Sequence, residues 1–137
     1  MPRWPIPSDY PLNELVGQEV TQVCMRSAEV HLSLCRQPQP GSPETWKPGA
    51  RIDIEFSFTL VTRDSGPVRV EQQMFKVEGG RLATLLGERV EEVFREPADE
   101  LRLEFSNGTS LRLHVDPQGF ESFHLVVAGE SITVMGA

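Results

Sequence analysis

A chain of 137 residues, 39% of them hydrophobic, can bury one core without disulfide or metal staples. Its formal charge of −7 works against nucleic acid and anionic membrane as partners, since both are bound through clustered Lys and Arg. No segment approaches the roughly 20 apolar residues that span a bilayer, and Met1 to Ser8 lacks the cationic start and apolar run of a secretory signal, so a cytoplasmic protein is expected.

The first element is expected just after Pro11, where Leu12, Leu15 and Val16 fall at i, i+3, i+4 and stop at Gly17, the form of a short helix closed by a residue able to take positive φ. The same unit returns at a constant offset: Leu12, Leu15, Val16, Gly17, Val20 and Val23 match Leu82, Leu85, Leu86, Gly87, Val90 and Val93. After Gly17, the β-branched Val20, Thr21 and Val23 predict a strand. After Gly87 the pattern is ambiguous, because a helix running from Arg81 to Glu96 and ended by Pro97 also aligns its leucines; the first copy favours strand. Cys24 and Cys35 show no CxxC or Cys/His ligand spacing and are expected as two buried thiols rather than a disulfide.

Further along, Val30, Leu32 and Leu34 parallel Leu101, Leu103 and Phe105, and Ile52, Ile54 and Phe56 parallel Leu111, Leu113 and Val115. Residues 36–50, rich in Pro and Gly, read as a loop inserted in the first copy. Ile52, Ile54, Phe56, Phe58 and Leu60 form the longest period-two run, followed across Arg63-Asp64-Ser65-Gly66 by Val68 and Val70 as a hairpin. Gly79-Gly80 read as the cap of the second helix. For Asn107-Gly108, a two-residue turn would set Leu103 against Arg112. A three-residue loop, Ser106-Asn107-Gly108 with Gly108 left-handed, aligns Leu101 with Leu113 and Leu103 with Leu111. The last hairpin is expected to turn at Gly129-Glu130 in type II′, matching Val127 with Ile132. The expected fold is α+β and mainly antiparallel β. It is a single domain, 1–137, of duplicated units (about 11–77 and 81–137), each a short helix plus a β-meander, forming a sandwich or partly open barrel.

Residues able to carry chemistry are few. His114, Asp116, Glu121 and His124 could converge from adjacent strands to hold a transition metal or act as acid and base. Their alternation with Leu113, Val115, Phe123 and Leu125 equally describes the solvent face of amphipathic strands, and that reading is preferred. His31 lies on the polar face between Val30 and Leu32, with no nucleophile context around it. No catalytic residue, cofactor or metal ligand is assigned. Trp46, in a proline-bounded loop, is a candidate anchor for a partner. Glu88, Glu91, Glu92, Glu96, Asp99 and Glu100 gather in the second copy and could steer a basic partner.

The segments LLGERV, LRLEFSNGTSLRLHV and GFESFHLVV resemble small bacterial proteins of the toxin-immunity kind, which share a leucine-glycine start, a strand ending in a polar-Gly turn, and a Glu-Ser or Glu-Trp strand afterwards. The resemblance covers mainly Leu82 to Val127, and residues 36–50 depart from it. It implies a non-enzymatic protein, monomer or homodimer, that neutralises a cognate toxin by occupying its active cleft. The acidity suits a basic toxin domain. A small-molecule or metal-binding barrel using His114, Asp116, Glu121 and His124 is the alternative.

Overall fold

A computed structural model describes residues 5–36 and 49–136; Trp4, Trp46 and residues 37–48 lie outside the described residues. Each half contributes five strands. The first half runs β1 (Glu19–Met25), β2 (Val30–Cys35), β3 (Arg51–Ile54), β4 (Ser57–Val61) and β5 (Val68–Glu71). The second runs β6 (Val90–Arg95), β7 (Leu101–Phe105), β8 (Ser110–Leu113), β9 (Glu121–Val127) and β10 (Glu130–Met135). All pairings are antiparallel, in two facing five-stranded sheets ordered β1-β2-β3-β9-β10 and β5-β4-β8-β7-β6. Each sheet therefore takes three strands from one half and two from the other. The arrangement is a mainly antiparallel α+β fold, sandwich-like and not a closed barrel.

Period-two alternation aims one face of every strand inward. Leu32, Ile52 and Leu125 lie abreast in the first sheet, and Leu103, Leu111 and Leu60 in the second; all six are buried. Phe58 stacks on Phe75 at 5.8 Å between ring centroids. Short 3-10 helices at Leu12–Leu15 and Gly79–Leu85 close the sandwich with buried Leu12, Leu15, Leu82 and Leu85.

The two halves exchange backbone hydrogen bonds symmetrically where β1 and β6 begin. Gly17 N donates to Val90 O and Gly87 N to Val20 O; Val20 N donates to Glu88 O and Val90 N to Gln18 O. Gly17 and Gly87 hold φ of +88° and +82°, so each short helix ends in a left-handed residue and a strand follows. A long helix through Gly87 does not form. The Ser106-Asn107-Gly108 loop also matches expectation, with Gly108 at φ +83°, Leu101 opposite Leu113 and Leu103 opposite Leu111.

Four expectations are corrected. The Ile52-to-Leu60 run is two strands in different sheets, broken at Glu55-Phe56, because alternation marks which side faces the core and is blind to a bend between sheets. The last hairpin turns at Ala128-Gly129, both at positive φ, as in a type I′ turn; Val127 faces Glu130 and Ile132 faces Leu125. This two-residue shift keeps every side chain on its expected face, which is why burial could not discriminate the registers. Cys24 and Cys35 are both half-buried rather than buried, and the pairing of Cys24 with His31 and Cys35 with Glu19 sets them too far apart along the strands for a disulfide. Gly79 begins its helical segment instead of capping it, and a Cβ there would meet Val30 Cγ2 at 3.3 Å, so close packing on β2 explains this glycine.

A Cβ at Gly87 would meet nothing within 4 Å, so Gly87→Ala isolates the cost of positive φ. We expect a loss of about 1–2 kcal/mol in urea unfolding, against little change for Gly66→Ala, where space is also open and φ is not positive. Equal effects at the two positions would contradict the role given to Gly87.

Candidate functional site

The strand switch makes the two halves directly comparable, residue by residue. Ser57 and Ser122 are equivalent, fully buried, and accept the first amide of each switch: His114 N donates to Ser57 O at 3.1 Å, and Glu55 N to Ser122 O at 3.0 Å. The pairings of β2 and β3, read against those of β7 and β8, make Glu29, Asp53 and Glu55 the counterparts of Glu100, Arg112 and His114.

In the second half this cluster is self-neutralised. The Glu100 carboxylate accepts from Arg112 Nε at 2.7 Å and from His114 Nδ1 at 2.8 Å, while His114 Nε2 bonds Thr59 Oγ1 at 2.6 Å. Burial alone would raise the Glu100 pKa; the His114 and Arg112 hydrogen bonds and charges outweigh it and hold the carboxyl below its ordinary value. His114, expected to face solvent, is only 7% exposed, because Glu100 and Thr59 close over it on the outer face of the sheet.

The first half keeps the carboxylate and has exchanged both of its basic neighbours. Asp53, in place of Arg112, is buried and held by Arg51 through two hydrogen bonds of 2.8 and 2.7 Å and by His31 Nδ1 at 2.5 Å. Burial pushes its pKa up, but these partners together hold it below the ordinary range. Glu55, in place of His114, hydrogen-bonds Glu121. Burial first, then this bond and the charges of Glu121, Glu29 and Asp53, push its pKa up to about 7. Among the described residues, the Glu29 carboxylate has only His31 Nε2 at 3.4 Å and Arg26 at 4.0 Å as ionic neighbours, and that imidazole nitrogen is buried without a hydrogen-bond partner among them.

The Glu29 and Glu55 carboxyls, but not Asp53, border a cleft of about 640 Å³ lined also by Asp116 and Glu121 with Phe56 and Phe120. No Lys, Arg or His among the described residues lines it. Phe120, 66% exposed, forms an apolar wall on the longer link between β8 and β9.

The structure separates the four residues whose convergence was the alternative reading. His114 sits in the second-half cluster, whereas Asp116 and Glu121 line the cleft. His124 lies on the other sheet, between Thr133 Oγ1 at 2.7 Å and Ser131 Oγ at 2.8 Å. The convergence of His114, Asp116, Glu121 and His124 is thus corrected: β8 and β9 are in different sheets, and no group of three His, Cys, Asp or Glu suited to a metal occurs among the described residues. The second-copy carboxylates are likewise divided. Glu88 accepts from Ser106, Glu96 from Arg102, and Glu100 from Arg112 and His114; Glu91 and Glu92 are exposed on β6, and Asp99 ends a 3-10 turn. Trp46 lies outside the described residues. Glu29, Glu55 and Phe120 were not anticipated. The repeat alignment held the signal, since pairing Ile54 with Leu113 already set Glu55 against His114.

The pKa directions imply opposite limbs of stability. Glu55 binds its proton more tightly folded than unfolded, so its ionisation destabilises the fold progressively as pH rises from about 4.5 toward about 7. Asp53 and Glu100 act in the other sense: their stabilisation is present above the ordinary carboxylate range and is lost as pH falls below it. Thermal melts should show Glu55→Gln removing the decline between pH 5 and pH 8 and leaving the acid limb unchanged. A variant that declines as steeply as the parent would contradict this assignment.

No helix among the described residues is long and apolar enough to cross a membrane. No curated protein and no solved structure matches the chain. A family model does match, over residues 11–137, a span that begins at the first short helix and takes in both halves: the chain belongs to DUF6188, a family of unknown function.

Proposed function

We propose that this chain is a non-enzymatic, cytoplasmic protein-binding module for a basic partner, serving as a bacterial immunity protein that neutralises a cognate toxin. The observation that carries the reading is the cleft of Glu29, Glu55, Asp116 and Glu121, which holds carboxyls against apolar walls with no cation lining it among the described residues. Such a surface gains by meeting a positively charged one: the partner's cations replace self-repulsion with attraction, and an exposed aromatic supplies buried area at the contact. The resemblance of Leu82 to Val127 to toxin-immunity proteins supplies the biological form. The separation of His114 from His124 favours binding over a metal-dependent activity.

The test is coexpression with the product of the adjacent gene, followed by gel filtration and by survival of cells making that product. A complex that survives filtration and protects cells is expected. Glu55→Lys with Glu121→Lys should weaken it at least tenfold, whereas Glu91→Lys with Glu92→Lys should mainly slow association at low salt. If the β6 pair abolishes the complex and the cleft pair leaves it intact, the interface lies on β6. If no complex and no protection are found, the immunity reading fails.

A further inference from the structure

A strand at the border of a sheet leaves a row of amides and carbonyls unpaired, and β1, β10, β5 and β6 all stand at borders. Three of them carry devices that resist pairing. β1 is bulged between Val20 and Gln22 and bridged at its start to Arg89. β6 is bulged between Val90 and Glu92 and presents Glu91, Glu92 and Arg95, all exposed. β5 is four residues long, follows Pro67 and carries Arg69 and Glu71. β10 differs from all three. From Ser131 to Val134 it reads Ser-Ile-Thr-Val, with no charge and no proline, and the irregularity in its pairing falls on β9, where Ser122 is skipped between Phe123 and Glu121. We propose that β10 pairs antiparallel with β10 of a second copy of this chain, joining two five-stranded sheets across a two-fold axis at Thr133. The inference does not rest on the binding-module reading above.

The register follows from the hairpin. Val127 and Glu130 close a two-residue turn, so they exchange both backbone bonds, and the amides of Glu130, Ile132 and Val134 point toward β9. Those of Ser131, Thr133 and Met135 point away from it. An axis at Thr133 sets Thr133 against its copy, Ser131 against Met135 and Ile132 against Val134, so every outward group meets one of its own kind and each side chain keeps its face. On the core side Ile132, half-buried at the border, gains cover from Val134 of the other copy. On the outer side the two Thr133 residues meet beside His124, which each already hydrogen-bonds within its own chain. The carboxylate of this strand, Glu130, falls opposite Gly136 and not against its copy, so two chains of charge −7 touch along a stretch that carries none. A strand complementary to itself in hydrogen bonding, apolar cover and charge selects a second copy as its occupant, and the guarded β1 at the far border stops the sheet from growing further.

The test is sedimentation equilibrium of the full chain over a concentration series, with amide hydrogen exchange followed in the same samples. The expected result is a mass of two chains that dissociates on dilution. Exchange at Ser131, Thr133 and Met135 should be at least tenfold slower in the dimer than in the dilute chain, while Ile132 and Val134 are protected in both. Thr133→Lys sets two ammonium groups against each other at the axis and should weaken dimerisation at least tenfold. Thr21→Lys, which adds the same charge at an exposed position of β1, should leave it unchanged. If Thr133→Lys does not fold, Ser131→Pro, which removes an outward amide and no bond to β9, carries the test. A single-chain mass at every concentration, a dimer indifferent to both β10 variants, or slowed exchange at Glu91 and Glu92 in place of β10 would overturn the proposal. It also falls if the chain alone is a monomer and the β10 amides are protected only in a complex with the adjacent gene's product, since the strand then pairs with that partner.

Discussion

The structure depends on one backbone constraint: after β3 and after β8 the chain must leave its sheet for the other without stranding polar groups in the interior. Ser122 O accepts both Glu55 N and Phe56 N at the first switch, and Ser57 O accepts His114 N at the second. The serine side chains complete the set, Ser57 Oγ donating to Val70 O and Ser122 Oγ accepting from Asp116 N. Because of the switch neither half holds a complete sheet, and the core is shared from the outset. The reciprocal bonds at Gly17 and Gly87 tie the same halves together at the start of β1 and β6.

That exchange also explains how a duplicated plan comes to carry two different surfaces. The inward positions are apolar in both halves, since a common interior constrains them equally. The outward positions are free to diverge. One half arrives at Glu100, Arg112 and His114, a cluster that satisfies itself; the other arrives at Glu29, Asp53 and Glu55, where Arg51 and His31 compensate Asp53 and Glu55 keeps its proton up to about 7. A gathering of carboxyls in a cleft costs stability once they ionise.

Much of the site was legible in pattern and little of it in position. The repeat, the glycine-terminated short helices and the three-residue loop at Gly108 follow from local chemistry, because positive φ and two-sided alternation leave few alternatives. The carboxylates of the second copy illustrate the opposite case. Glu88, Glu96 and Glu100 are close in sequence to Glu91 and Glu92, yet the first three find Ser106, Arg102, Arg112 and His114 on neighbouring elements, and the last two stay exposed. His114 and His124 share a polar rhythm in the sequence and end on different sheets, the one enclosed by Glu100 and Thr59, the other between two hydroxyls.

By itself the sequence determined which side of most strands faces inward, where the chain turns at Gly17 and Gly108, and that two equivalent units share one architecture, with the turn at Gly87 following only by comparison with the first copy; these are consequences of side-chain periodicity and backbone sterics within a few residues. Only the tertiary structure decided that β3 and β4, continuous in pattern, part at Glu55 to join different sheets, and that the last hairpin turns at Ala128-Gly129. It alone brought Glu29, Glu55, Asp116 and Glu121 to one cleft. The physical reason is that alternation records a side chain's distance from the core and carries no information about which strand lies beside it. Lateral pairing sets the charge each group meets.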